Sequence, residues 1–74
     1  MSDDKFRYEI VEHIATLSKY GDTSKELNRV SYNGSPAKYD LRSWKREDGG
    51  EKMFKGVTLS EKEMDALKAA IINL

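Results

Sequence analysis

The chain has no cysteine and a single histidine in 74 residues, and this lack of cross-linking chemistry limits what it can fold into. A domain of this length buries only about 60% of the surface that its unfolded form exposes. One core of that size supplies on the order of 3–5 kcal/mol unless a disulfide, a metal or a second subunit supports it. Disulfides and thiolate zinc sites are excluded, and His13 cannot assemble a metal site by itself. No metal and no other cofactor is expected. Support has to come from unusually good packing or from self-association, so the expectation is one domain over residues 1–74, working as a homodimer.

Charge and compartment narrow the choice. Nothing calls for an oxidising environment, and the start, Met1-Ser2-Asp3-Asp4, lacks the basic and apolar regions of a secretory signal. No stretch approaches the roughly 18–20 apolar residues of a membrane span. A reducing, cytoplasmic setting with no membrane partner is the expectation. The formal net charge is zero, which by itself counts against nucleic acid, because domains that bind it are usually basic. The charge is unevenly placed, however. Residues 1–18 carry −2, residues 56–74 carry −1, and residues 19–55 hold nine basic side chains against six acidic ones, or +3. A basic middle third permits an anionic partner, although a charge run is also what an ordinary solvated face looks like.

Along the chain, Phe6, Tyr8 and Ile10 alternate with Arg7 and Glu9, the period of a strand. Val11, Ile14 and Leu17 then fall out of phase, and helix spacing could also claim Ile10, Ile14 and Leu17. Aromatic and β-branched content favours a long strand from Phe6 to Leu17 with a bulge or bend near Glu12-His13. His13 reads as an ordinary solvent-facing or half-buried side chain. Gly21-Asp22-Thr23 marks a turn, and Lys25 to Asn33 a second strand. Asn33-Gly34-Ser35-Pro36 is a hairpin turn, since Asn-Gly is the strongest short cue of that kind. The third strand is Ala37 to Lys45. After a turn at Asp48-Gly49-Gly50, a fourth strand covers about Lys52 to Leu59. Gly56 in its middle marks a bulge or a close approach by another backbone. Ser60-Glu61-Lys62-Glu63 is a capping box. The helix it opens runs to the end of the chain, with Met64, Leu67, Ile71 and Leu74 on one apolar stripe. The fold class this predicts is α+β: a four-stranded antiparallel sheet followed by one C-terminal helix. One helix covers one face of such a sheet and leaves the other open to water or a ligand.

On the third strand Lys38, Asp40, Arg42 and Trp44 share a face opposite Tyr39 and Leu41. Read as the uncovered face, it holds two cations and a flat aromatic. Those are the ingredients for binding a single strand: cations meet phosphates, and a ring stacks on an unpaired base. The competing reading puts Trp44 in the core or in a dimer contact, and alternation alone does not separate the two. Asp40 reads as the partner of Arg42 or of a neighbouring cation. Enzymatic constellations are missing from the sequence. Gly49-Gly50 is followed by neither the lysine motif nor the helix of a phosphate loop, no nucleophile motif surrounds Ser18 or Ser31, and Glu61 and Glu63 are explained by the N-terminal helix dipole. The chain is not expected to be an enzyme or to take a small-molecule substrate.

The stretch Lys38-Tyr39-Asp40-Leu41-Arg42-Ser43-Trp44, then a turn, then Lys55-Gly56-Val57-Thr58-Leu59-Ser60 leading into a helix, resembles the transcriptional coactivator family typified by positive cofactor 4. The leader from Lys25-Glu26-Leu27-Asn28-Arg29 to Tyr32-Asn33-Gly34 is similar to the small bacterial, YdbC-like branch of that family. The resemblance covers roughly residues 6–74. It implies a curved sheet, a dimer built partly through the C-terminal helices (Met64, Leu67, Ile71 and Leu74), and single-stranded DNA as the partner. It further implies that Arg42 and Lys55 occupy the family's basic positions and that Trp44 stands at the aromatic end of the arginine strand. Lys25, Arg29, Tyr32 and Lys38 lie in the matching strand and hairpin region. Two departures stand out: the long basic, serine-rich tail of the eukaryotic coactivators is missing, and the hairpin between the second and third strands differs in length.

The function expected is sequence-tolerant single-stranded DNA binding, in transcription regulation or in DNA replication and repair. Arg29, Lys38, Arg42 and Lys55 would capture phosphates, and Trp44 and Tyr32 would stack on bases. Two rivals stand beside it. One is a protein-interaction module, favoured by the apolar helix and the zero net charge. The other is an RNA-binding protein, since no residue identifies itself as a reader of the 2′-hydroxyl.

Overall fold

The computed structural model describes residues 6–74, and the acidic start Met1-Ser2-Asp3-Asp4 lies outside the described residues. Four strands, β1 (Tyr8–Tyr20), β2 (Thr23–Tyr32), β3 (Lys38–Glu47) and β4 (Gly50–Leu59), precede one helix, α1 (Glu61–Ile72). The strands form one sheet in the order β1-β2-β3-β4, each antiparallel to the next. This is the ββββα arrangement that the alternation and the capping box predict.

The strands run further into the turns than the sequence indicated. Tyr20 pairs with Thr23 and Glu47 with Gly50, so both hairpin loops hold only two residues. The polar Ser24 and Glu51 belong to the ladder. The remaining turn bends at Asn33-Gly34, where both residues adopt left-handed backbone, φ 52° and 80°. Asn and Gly are the residues that tolerate this conformation. The Ser35 N–H closes the turn on the Tyr32 carbonyl at 2.9 Å.

β1 departs most from the expectation. It carries three register shifts, between Ile10/Glu12, His13/Ala15 and Thr16/Ser18, rather than one. The residues left over are Val11, Ile14 and Leu17, the three that fell out of phase. A bulge at every third residue lets a 13-residue strand pair with a 10-residue one. Each bulge also increases the local twist, so the sheet curls strongly at this edge. Val11, Ile14 and Leu17 all stay exposed.

α1 begins as its capping box requires. The Ser60 hydroxyl accepts from the Glu63 N–H at 3.1 Å, and the Glu63 carboxylate accepts from the Ser60 N–H at 2.8 Å. The helix ends at Ile72, with Asn73 as its C-cap, rather than at the last residue. Among the described elements it touches β3 and β4. Within it only Met64 is buried, while Leu67, Ile71 and Leu74 are exposed. The apolar core of the described residues is correspondingly small: Val30, Trp44 and Met64. Ser24, Glu26, Asn28 and Asp40 are buried beside it.

Candidate nucleic-acid interface

Directly opposed residues of an antiparallel ladder share a face, so the register sorts the sheet. One face carries Tyr8, Ile10, His13, Thr16 and Lys19 of β1, Ser24, Glu26, Asn28, Val30 and Tyr32 of β2, Lys38, Asp40, Arg42, Trp44 and Arg46 of β3, and Glu51, Met53, Gly56 and Thr58 of β4. This face is the inside of the curl. The Tyr8 hydroxyl, on one outer strand, donates to Glu51 on the other. The same contact raises the Tyr8 pKa, and it lowers that of Glu51, where Arg46 adds to the effect.

The expectation that this face stays open is corrected by the curl. Trp44 is 0% exposed. The Tyr8 ring lies 5.5 Å from it and the Arg46 guanidinium 5.4 Å from its centroid. Its indole N–H is buried without a partner among the described residues, and its ring offers no free surface to a base. Arg42 is similarly engaged. It clasps the fully buried Asp40 through Nε and Nη2, both at 2.8 Å, and donates from Nη1 to the Phe54 carbonyl at 3.0 Å. Asp40 also accepts from the Tyr32 hydroxyl at 2.6 Å. Burial, reinforced by that hydrogen bond, pushes the Tyr32 phenol far above its ordinary range. Asp40 therefore holds Arg42, as the sequence indicated, and the pair braces the sheet.

A second buried network surrounds Glu26. Burial alone would push its carboxyl up. Hydrogen bonds from Arg46, Ser24 and Asn28 outweigh that and hold it down at about 2. His13 joins through Asn28 at 2.7 Å and Thr16 at 3.2 Å.

The outer face groups several cations in neighbouring rows, whereas Lys19 and Lys38 stand apart on the inner face. Tyr20, Thr23, Lys45 and Lys52 form one continuous row across all four strands, and Ser18, Lys25 and Ser43 form the next. In that second row β4 bulges: Arg42 pairs with Gly56 and Trp44 with Met53, so Phe54 and Lys55 together oppose Ser43. Gly56 is both things a mid-strand glycine can mark. It flanks the bulge, and a Cβ there would collide with Arg42 Cβ and lie 2.5 Å from the Leu41 carbonyl oxygen. Lys45 and Lys52 stand directly opposite each other, an arrangement that destabilises a sheet. Lys45 has Glu47 at 3.3 Å. Among the described residues, Lys25, Lys52 and Lys55 have no carboxylate partner.

The sequence-derived candidates thus divide between the faces. Lys25 and Lys55 are exposed on or beside the outer rows. Arg29 is on the outer face too, stacked at 5.6 Å over Tyr39 with Glu12 at 3.9 Å. Tyr32, Lys38, Arg42 and Trp44 belong to the inner face, where only Lys38 is exposed. Met64 is buried within its own chain, which leaves Leu67, Ile71 and Leu74 as the exposed part of the helix stripe. Sequence reading missed Tyr20, Lys45, Lys52 and Phe54. Lys45 and Lys52 were within reach: a two-residue Asp48-Gly49 hairpin dictates their pairing. Phe6 was also passed over. It is exposed and sits 6.1 Å from Tyr8 and 5.7 Å from Tyr32, capping the aromatic end of the inner face.

A small curled antiparallel sheet with one C-terminal helix and an outer face of lysines and exposed aromatics defines a class of compact domains suited to polyanions. Residues 21–70 match the family described as Transcriptional Coactivator p15 (PC4), and the chain belongs to that family, whose members are non-enzymatic, nucleic-acid-binding domains. It is also similar to an uncharacterised protein of Treponema pallidum (strain Nichols), with 45% identity over 67 residues, covering 89% of this chain and 76% of that protein. Among the described residues, no helix is long and apolar enough to cross a membrane.

Proposed function

We propose that this protein is a dimeric, sequence-tolerant binder of single-stranded DNA, and that it grips the strand on the outer face of its sheet. The observation that carries this reading is the Lys45–Lys52 pair, with Lys25 and Lys55 in the adjacent row. Like charges held face to face cost stability in the free protein. Phosphates laid across them remove that cost. Arg29 lies on the same face. Tyr20, 85% exposed, stands in the row of Lys45 and Lys52, where a ring can stack on an unpaired base. A duplex, whose bases are already stacked, gains only the phosphate term. Lys38, exposed on the inner face opposite Val30, offers a second point of contact. Arg42 and Trp44 act as the brace and the core that keep the sheet in shape.

The dimer is supported by α1. Leu67, Ile71 and Leu74 are exposed on a helix that contacts its own sheet through little more than Met64. A second copy covering that stripe would supply the support that so short a chain needs. Sedimentation equilibrium at tens of micromolar should give a homodimer, and a monomer would remove the shared binding surface. We place the protein in the cytoplasm, serving transcription or DNA replication and repair.

Anisotropy titrations of labelled oligo-dT, the matching RNA and a duplex, each at two salt concentrations, test the reading. Tight binding of oligo-dT, weaker binding of duplex and weakening with salt are expected. A preference for RNA would move the assignment to that partner, and no binding to any of the three would overturn it.

A further inference from the structure

The β4 bulge is the most deliberately built feature of the outer face. In a regular strand, neighbours such as Phe54 and Lys55 fall on opposite faces. Here the two share the single register position opposite Ser43. Phe54 is 41% exposed and Lys55 is exposed, at the β4 end of the row that carries Lys25. A large ring left half in water contributes little to so small a core. The cost of presenting it is accompanied by machinery that keeps the bulge open. Arg42 Nη1 donates to the Phe54 carbonyl at 3.0 Å, which ties the bulged segment to β3. Arg42 is held by a fully buried carboxylate, Asp40, which is itself held by Tyr32. Gly56, beside the bulge, lets the two backbones approach closely enough for this reach. Bulges occur next to functional sites because they re-aim side chains.

We infer that Phe54 and Lys55 form one contact unit for a single nucleotide, the ring stacking on the base and the ammonium meeting the adjoining phosphate. Arg42 is a positioning residue that acts through the Phe54 carbonyl. The inference rests on the proposed single-strand binding.

The test compares Phe54→Tyr with Phe54→Leu by anisotropy with labelled oligo-dT at fixed salt. The tyrosine variant should bind like wild type. The leucine variant, apolar but without a π face, should bind roughly 5- to 150-fold more weakly, the range for one stacked base. Both substitutions are at the surface, and Trp44 fluorescence reports that each remains folded. Arg42→Lys keeps the charge but cannot span the carboxylate and the carbonyl as a guanidinium does. It should weaken binding in the wild-type background and have no further effect in Phe54→Leu. A leucine variant as tight as wild type overturns the stacking contact and leaves the proposed function standing. An Arg42→Lys effect that persists undiminished in Phe54→Leu shows that Arg42 acts on binding other than through Phe54 and overturns the positioning role. Should Arg42→Lys not fold, the Phe54 pair alone decides. A wild-type protein that ignores oligo-dT removes the function and this contact together.

Discussion

Trp44 combines the features that drew it into a binding role with a position that denies it one. Its alternation partners are cations, but it lies fully buried, with Tyr8 and Arg46 at its ring. Trp44→Ala should therefore cost roughly 3–5 kcal/mol, comparable to the whole stability available to a core this small. Trp44→Phe keeps a ring in place and deletes the unpartnered indole N–H, so it should fold and bind oligo-dT as wild type does. Urea unfolding and anisotropy on the two variants check this, and a folded alanine variant with weakened binding would contradict it. Glu26 makes a second residue-scale prediction. Its carboxyl is held at about 2 against an ordinary 4.5. A depressed folded-state pKa adds stability above the unfolded value, and that stability disappears as pH falls through the folded one. The contribution, about 3 kcal/mol for a side chain this buried, should be complete above pH ~4.5 and lost on the way to pH ~2. Glu26→Gln should remove that acid dependence, as read by thermal unfolding across the window.

Elements were readable where their signals were local. Alternation located the strands, Asn33-Gly34 and Asp48-Gly49 located two hairpins, and the Ser60–Glu63 box located α1. The three bulges of β1 were visible only as Val11, Ile14 and Leu17 slipping out of phase, because a run of apolar residues every third position fits no single period. Which face stays open was not readable. It depends on Tyr8 reaching Glu51, 43 residues away, and no pattern within a strand encodes that closure. The β3–β4 hairpin carries the prediction at this scale. Lys52→Glu turns a repulsive cross-strand pair into an attractive one. It should stabilise the free protein by about 0.2–1 kcal/mol while weakening oligo-dT binding. Thermal unfolding and anisotropy on the same sample read both signs. Loss of both stability and affinity would show that Lys52 packs rather than binds.

Across the whole molecule, the outer face is acidic at one end and mainly basic at the other. Glu9 and Glu12 occupy it near the start of β1, and Lys25, Lys45 and Lys52 lie toward the opposite end, where Glu47 pairs with Lys45. With Glu61, Glu63 and Asp65 on α1, this is how a chain of zero net charge can still present a basic surface. The family resemblance indicated the partner correctly at the level of nucleic acid. Yet the residues it made prominent, Arg42 and Trp44, hold the sheet together and leave the outer lysines to face solvent. The salt dependence of oligo-dT affinity measures that division most directly. For single strands log K falls against log salt by about 0.7 per neutralised phosphate. The doubly substituted Lys45→Ala, Lys52→Ala protein should show a slope shallower by roughly 1.4 for each engaged subunit, with its fold intact. An unchanged slope in that variant, beside a flattened one in Lys38→Ala, would put the strand on the inner face and contradict the account.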